Sequence, residues 1–359
     1  MFTEIHYPEF LPHKKLDEYL ARGWFRMGQM IFTCRFLCFD GKLYTAVWTR
    51  LDLKDYTFRK SVRKIFNRNN KSFRIVIRRA VFDKEKNDLY LIHRQRFGGF
   101  VSSNLRKSLF GDADYNIYDT WETCIYDGDT LAAASFFDLG NNSIASIMGL
   151  FHPDYSKYSL GFYTMLLEID FGKKSGAEYY YPGYVVPNYF KFDYKLRIGD
   201  TEYFDPDQNQ WFPYSELDND QLSSDVLKTK LDELKEYLGE KNIRTDLFLY
   251  PLYERVLFGH EYKDFLHNPL FISCYHRRFH SLLLIVEYDI FKHTYRLVRA
   301  GRIENNHAGF MTAMRNGHDG KTSFFDFLFK EKVILETTQL DELAKAISIY
   351  AERYDLLDE

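Results

Sequence analysis

The spacing of apolar residues changes twice between residues 119 and 186, and that change limits what the chain can fold into. Trp121 to Tyr126, Leu131 to Asp138 (LAAASFFD) and Ser143 to Phe151 have strand chemistry. The steps Asp127-Gly128 and Asn141-Asn142 between them are turns. Leu160 to Gly172 (LGFYTMLLEIDFG) then reads as a helix. The stretch Glu178 to Arg197, EYYYPGYVVPNYFKFDYKLR, follows. Its Tyr179, Tyr180, Tyr181, Val185 and Val186 fit a pleated surface, because aromatic and β-branched side chains pack well there. Pro182-Gly183 interrupts that strand, and glycine inside a strand marks a bulge or a close backbone approach. The cluster Lys191-Phe192-Asp193-Tyr194-Lys195 comes next. A split strand followed by cations and aromatics suits an anionic, base-bearing ligand.

Strand–strand–strand–loop–helix–strand is the order found at the core of the acetyltransferase-like (GNAT) fold. The predicted class is therefore α+β. It is an acetyltransferase-like mixed sheet flanked by helices, with an N-terminal α+β region and an unassigned C-terminal α+β region. In that fold the loop before the helix, here Phe151 to Gly161, cradles an acyl carrier's phosphates on unbonded backbone N–H groups. This loop carries one glycine, Gly161. The glycine-rich loop expected for coenzyme A is missing, which counts against an acetyl-CoA-dependent N-acetyltransferase.

The second constraint is electrostatic. Residues 56–82, YTFRKSVRKIFNRNNKSFRIVIRRAVF, hold nine Arg and Lys residues and no acid. Ser61 to Arg68 reads as a helix with Val62, Ile65 and Phe66 inward. Lys60, Arg63, Lys64 and Arg68 then share the other side at helical spacing. Phe73 to Val81 alternates like a strand. The chain as a whole carries a net charge of −3, so a polyanion would be met by this patch and not by the overall field. The bland alternative is a solvated face whose acids lie elsewhere in the fold.

The rest is less informative. At 359 residues the chain has room for two or three domains. Lys15 to Arg22 is a short helix stopped by Gly23. Met30 to Phe32 and Leu43 to Leu53 are strands about the Asp40-Gly41 turn. Asp88 to Arg96 is a helix broken at Phe97-Gly98-Gly99-Phe100, with His93 a packed or surface residue rather than a catalyst. Ser223 to Leu238 is expected to be an exposed, charged helix. Ser281 to Glu287 and Thr294 to Arg299 form a hairpin, and Leu340 to Tyr354 an amphipathic helix. His276-Arg277-Arg278-Phe279-His280 is basic, either an RNA contact or simply solvated. Four cysteines fit a reducing compartment, and neither a signal peptide nor a membrane span is expected, so the expected location is cytoplasmic.

Four blocks carry a family resemblance. They are Arg22-Gly23-Trp24-Phe25-Arg26-Met27-Gly28; Ser61-Val62-Arg63-Lys64-Ile65-Phe66-Asn67-Arg68-Asn69; Phe151-His152-Pro153-Asp154 with Ser159-Leu160-Gly161; and Tyr181-x-Gly183-Tyr184 leading to Lys191-x-x-Tyr194-Lys195. In order and approximate spacing, across roughly residues 10–205, the chain resembles the aminoacyl-tRNA–protein transferases of the arginyltransferase family, including the bacterial leucyl-transferring branch. The family usually carries a cysteine cluster near its N-terminus. At about 40–46 this chain reads DGKLYTA, and Cys34 and Cys38 are only a pair, so neither a metal nor any other cofactor is expected.

The resemblance implies transfer of an amino acid, arginine or leucine, from aminoacyl-tRNA to the N-terminal amine of a protein. The acceptor would begin with an acidic residue and be marked for degradation (the N-degron pathway). By resemblance, Lys191, Tyr194, Lys195 and Tyr184 are the catalytic candidates. Arg59, Lys60, Arg63, Lys64 and Arg68 are the tRNA-binding candidates. Tyr181, Gly183, Asp154, Ser159 and Gly161 line the substrate pocket, with Tyr181 and Tyr184 stacking the terminal base. Glu168 and Asp154 are candidates for accepting the amine's proton, Glu168 reading more simply as a surface residue. The implied division is 1–82 (arginyltransferase-like, with the basic helix), 83–118 (connecting helices), 119–205 (transferase domain), 206–243 (helical linker) and 244–359 (extension). A non-catalytic tRNA-binding protein on the same scaffold is the alternative of another class.

Overall fold

The structure is a computed structural model that describes residues 2–96, 102–258, 265–274, 282–303 and 322–355. The break expected at 97–100, the start of the hairpin at Ser281 and the basic cluster at 276–280 lie outside the described residues. In chain order the first elements are β1 (Thr3–His6), α1 (His13–Leu20), β2 (Phe25–Met27), β3 (Met30–Cys34), β4 (Phe36–Phe39), β5 (Lys42–Thr45) and β6 (Val47–Asp52). Then come α2 (Lys60–Ser72), β7 (Arg74–Arg79), α3 (Lys84–Arg94), α4 (Leu105–Phe110), β8 (Thr120–Asp127), β9 (Thr130–Leu139) and β10 (Ser143–Phe151). They are followed by α5 (Leu160–Ser175), β11 (Tyr179–Val185), β12 (Glu202–Asp205), β13 (Gln210–Pro213) and α6 (Ser223–Glu240). The last are β14 (Thr245–Leu249), β15 (Leu270–Cys274), β16 (Leu282–Asp289), β17 (Thr294–Ile303), β18 (Phe327–Thr337) and α7 (Leu340–Asp355).

The chain forms two compact units. One comprises 5–33 and 46–217, the other 1–4, 34–45 and 218–359. The first unit holds a mixed sheet in the order β13-β12-β6-β11-β10-β9-β8-β7. Short turns make β8, β9 and β10 antiparallel neighbours, whereas β11 lies parallel to β10, across the helical connection that a parallel pair requires. The connecting helix, α5, is apolar on nearly all sides. It buries Leu160, Phe162, Met165, Leu166 and Ile169 in one core with Phe137 and Ile144 of the sheet. Val62 of α2 joins that core, and Phe66 packs against it. Two links join α2 to α5, Tyr163 donating to Asn70 and Phe66 meeting the Tyr163 ring, and Asn69 and Arg68 donate to the Tyr158 carbonyl just before α5, at 2.9 and 3.1 Å.

Helix α3 starts four residues before the sequence-based expectation, because the Asp83 carboxylate caps it by accepting from the Lys86 N–H at 3.0 Å. His93 is a packed histidine and not a surface one: it is buried, and desolvation lowers its pKa.

The stretch 43–53, expected as one strand, divides at Ala46. Its first half pairs with β4 across the Asp40-Gly41 turn, where both residues have positive φ, and its second half joins the large sheet.

The second unit contains an antiparallel sheet, β14-β15-β16-β17-β18. The helix at 223–238, expected to be exposed, instead buries Leu227, Leu231, Leu234 and Leu238 completely in that unit's core. Their spacing of three and four puts them on one face, each contributing about 1.5–3 kcal/mol by leaving water. The charges that suggested exposure occupy the opposite face. Among the described residues, no helix is long and apolar enough to cross a membrane.

Candidate active site

The site begins where the large sheet opens. β10 and β11 pair over three positions only, Ser143 with Tyr179, Ile144 with Tyr180 and Ala145 with Tyr181. β10 continues to Phe151 and β11 to Val185, so beyond Ala145 and Tyr181 the two strands have no ladder between them. On its other side β11 loses register with β6 between Tyr180 and Gly183, because Pro182 offers no N–H to the ladder. Gly183 resumes it with φ of +87°, a conformation glycine adopts without strain, and its carbonyl accepts from Thr49 Oγ1 at 2.8 Å.

Past β11 the chain turns at Asn188 (φ +65°) into a 3-10 segment, Phe190–Ile198, which carries Lys191, Tyr194 and Lys195. Lys195 returns to the strand. Its Nζ donates to the Tyr184 carbonyl at 2.9 Å and lies over the Tyr184 and Phe192 rings, 5.3 and 5.5 Å from their centroids. A Cβ at Gly183 would stand 3.3 Å from that Nζ. Among the described residues Lys195 has no acidic partner, and burial lowers its pKa to about 8. The result is a desolvated ammonium, neutralised by no carboxylate, beside the opening of the sheet. Tyr194 is exposed, and Lys191 is exposed with its Nζ over the Tyr189 ring.

Glu168 corrects the surface reading. Its side chain is 0% exposed. Ser135 Oγ donates to Oε1 at 2.5 Å and Tyr180 Oη to Oε2 at 2.8 Å, and the Ser146 hydroxyl bonds to the same carboxyl. These partners come from β9, β11 and β10. Ser146 is the first β10 residue beyond the last pair with β11, so Glu168 sits at the point where the sheet opens. Burial pushes its pKa up to about 7, against the three hydroxyl bonds. The sequence does contain a signal for this: Glu168 lies between Leu167 and Ile169 in a helix with no polar face wide enough to hold it outside.

The other expected site residues divide. Tyr184 is half-buried, its ring edge-on to Trp48 at 5.3 Å. Tyr181 is not a stacking platform: it is buried against Trp211 and bonded to Arg50, whose charge tempers the rise in its pKa to about 12. Asp154 is exposed, 3.6 Å from His152 in a 3-10 turn, Pro153–Tyr158. Ser159 is exposed and left-handed (φ +55°) at the start of α5, and a Cβ at Gly161 would press on the Phe151 ring at 3.2 Å. No contact joins Asp154, Ser159 or Gly161 to the Lys195 cluster among the described residues.

The basic segment divides too. Arg59 pairs with Asp200, Arg78 with Glu122 and Arg79 with Asp119, while Arg68 is spent on the Tyr158 carbonyl. Lys60, Arg63 and Lys64 are exposed on α2 with no acidic partner among the described residues. The bland alternative therefore accounts for part of the row, and Lys60, Arg63 and Lys64 stay outside it.

The family's cysteine cluster would imply a zinc or iron–sulfur site. The residues here do not fit one. Burial, with Glu254 adding to it, pushes the Cys34 and Cys38 thiols up, away from the thiolates such groups need. Among the described residues no three His, Cys, Asp or Glu side chains gather as a ligand set.

Residues around the opened strands fall within a region similar to known proteins. Residues 72–205 match the family described as arginine-tRNA-protein transferase, C terminus. An aspartate/glutamate leucyltransferase of Campylobacter jejuni (strain RM1221) is 29% identical over 198 residues, 54% of this chain and 80% of that protein. One from Leptospira interrogans (strain Fiocruz L1-130) is 25% identical over 214 residues, 57% and 80% of the two chains. The arginyl-tRNA–protein transferase 1 of Drosophila melanogaster is 30% identical over 139 residues, 33% of this chain and 28% of that one. Among solved structures, the C-terminal domain of a putative lysylphosphatidylglycerol synthetase from Agrobacterium fabrum aligns with a TM-score of 0.35 at 12% identity, over 47% of this chain and 58% of that one, a likeness too slight to argue from. The family match spans β7 to β12 and takes in the opened strands, Glu168 and Lys195, so it is over residues 72–205 that the chain is similar to the arginine-tRNA–protein transferases.

Proposed function

We propose that this protein transfers an amino acid, arginine or leucine, from aminoacyl-tRNA to the N-terminal amine of a protein that begins with an acidic residue, marking it for degradation. The observation that carries the proposal is Lys195, an ammonium without a carboxylate partner among the described residues, at the place where the sheet opens. Such a group is pre-set for an anion, and the acidic side chain of an acceptor restores the charge that burial disfavours. The donor ester is already activated, so the work left to the enzyme is positioning, worth up to ~7–11 kcal/mol, and oxyanion stabilisation, worth ~3 kcal/mol.

The exposed Lys60, Arg63 and Lys64 hold phosphates of the acceptor arm, which fixes register without reading sequence. Because α2 packs on α5, that row lies on a neighbour of the opened strands. Tyr184 offers a ring edge to the terminal base, Tyr194 a hydroxyl, and Lys191 a further cation at the rim. The order β8–β9–β10–α5–β11 and the parting of β10 from β11 support an acetyltransferase-like arrangement for 119–205, in a cytoplasmic protein.

The test is a transfer assay with labelled arginyl- and leucyl-tRNA and peptides beginning with Asp or Glu, repeated with Lys191→Ala and Arg63→Ala. Transfer that the variants weaken supports the reading. Tight tRNA binding with no transfer points to a binding protein, and turnover of acetyl-CoA to an acetyltransferase; either result overturns it.

A further inference from the structure

We propose that Glu168, acting through the Ser146 hydroxyl, takes up the proton that the acceptor amine loses on attack, and so serves as the positioning and proton-holding group of the transfer site. The inference rests on the transferase reading above. The geometry is particular to the opening of the sheet. Among the described residues Glu168 is the carboxyl held there, reaching from α5 to hydroxyls on three adjacent strands: Ser135 on β9 at 2.5 Å, Tyr180 on β11 at 2.8 Å, and Ser146 on β10. Ser146 alone among the three is half-exposed, and it is the residue at which β10 leaves β11 and shifts register with β9. Ser135 and Tyr180 are closed off, at 1% and 0% exposure. A buried acid with two sealed partners and one half-exposed partner at the opening has one route to a substrate. Burial of its hydroxyl and, after that, the Glu168 charge raise the pKa of Tyr194, which places that phenol within the carboxyl's field.

The chemistry balances on these groups. The amine nitrogen bonds to the ester carbonyl carbon, and the bond from that carbon to the ribose oxygen breaks. The nitrogen gives one proton to Ser146 Oγ, as Ser146 passes its own to the Glu168 carboxylate. The ribose oxygen leaves with a proton returned along the same path, so serine and glutamate end as they began. A carboxyl whose pKa lies near 7 suits both directions of that exchange, since proton transfer works best when acid and base forms are both populated.

The test is the pH profile of kcat/KM for transfer to an Asp-starting peptide, for wild type, Glu168→Gln and Ser146→Ala, with tRNA binding measured alongside. The wild type is expected to rise through pH 7. Glu168→Gln should lose roughly 10²–10⁴-fold and the rise through 7, keeping only the changes near 8 that belong to the amine and to Lys195, while tRNA affinity stays within about twofold. Ser146→Ala, at a half-exposed position, should lose at least about tenfold and likewise lose the rise through 7. A Glu168→Gln enzyme with wild-type kcat/KM and an unchanged profile overturns the proposal; if that variant does not fold, an unchanged Ser146→Ala profile does so. These results leave the transferase reading intact. A wild type that transfers nothing overturns both.

Discussion

Glu168 and Glu254 are two carboxyls whose pKa burial pushes up to about 7, one in each compact unit. Glu168 belongs to a sheet that parts, and its three partners are hydroxyls, one of them facing the gap. Glu254 accepts from Tyr253 Oη at 2.9 Å and from the Cys38 N–H at 3.1 Å, in a unit whose sheet is antiparallel throughout and whose ladders run unbroken by a crossover. Its neighbours are the thiols of Cys34 and Cys38, and Tyr253 is buried. The same elevated pKa therefore has two meanings. A shifted carboxyl marks a functional site only when something reactive can reach it, and reach is a property of the strands around it, not of the pKa.

The largest effect that would break this contrast is catalytic. Glu168→Gln is expected to lower kcat/KM by 10²–10⁴-fold, and Glu254→Gln to leave it within about threefold, since the amide keeps both hydrogen bonds. Equal losses in the two variants would dissolve the distinction. Next in size is Lys195. Lys195→Met should cost roughly 10–100-fold in kcat/KM with Asp- or Glu-starting peptides, mostly in KM, as expected when one buried partner of a charged contact is removed. The wild-type rate should also fall as pH passes about 8, where Lys195 loses its proton, and Lys195→Arg should shift that fall upward. A KM insensitive to both changes would move the anion site elsewhere.

A smaller effect separates bare cations from paired ones. Arg63→Ala or Lys64→Ala should weaken tRNA binding several-fold and reduce the salt slope by about 0.7–0.9 each, measured by titration at several salt concentrations. Arg59→Gln should change the slope less, because Asp200 already neutralises it. The smallest effect is on stability. A carboxyl with a raised folded pKa keeps its proton in the native state after the unfolded chain has lost it, so between about 4.5 and about 7 the native state binds more protons and stability falls as pH rises. Each of Glu168→Gln and Glu254→Gln should flatten part of that fall, read as melting temperature at pH 5 and pH 8. A fall unchanged by both would mean the two groups titrate normally.

Much of the site was legible in the sequence because its signals are local. Pro182-Gly183 announced the interrupted strand, since a missing N–H and a positive φ act within two residues. The change of apolar period announced β8 to β11 and α5. The Asp40-Gly41 turn was legible, while the division at Ala46 was not, because β5 and β6 take different partners and nothing in their side chains says so. Tyr181 and Tyr184 are alike as text; one packs on Trp211 inside, the other edges the opening.

By itself, then, the sequence determined the strand and helix periods, the glycine at 183, the row of cations and the motifs of the family. The tertiary structure alone decided which charges are spent. Arg59 meets an acid 141 positions away and Arg78 one 44 away, and only the fold brings such partners within reach. It also decided that Glu168 is enclosed by three strands and that the leucines of α6 face a core. Periodicity depends on bonds a few residues long, whereas desolvation and charge pairing depend on which distant segments the chain packs against.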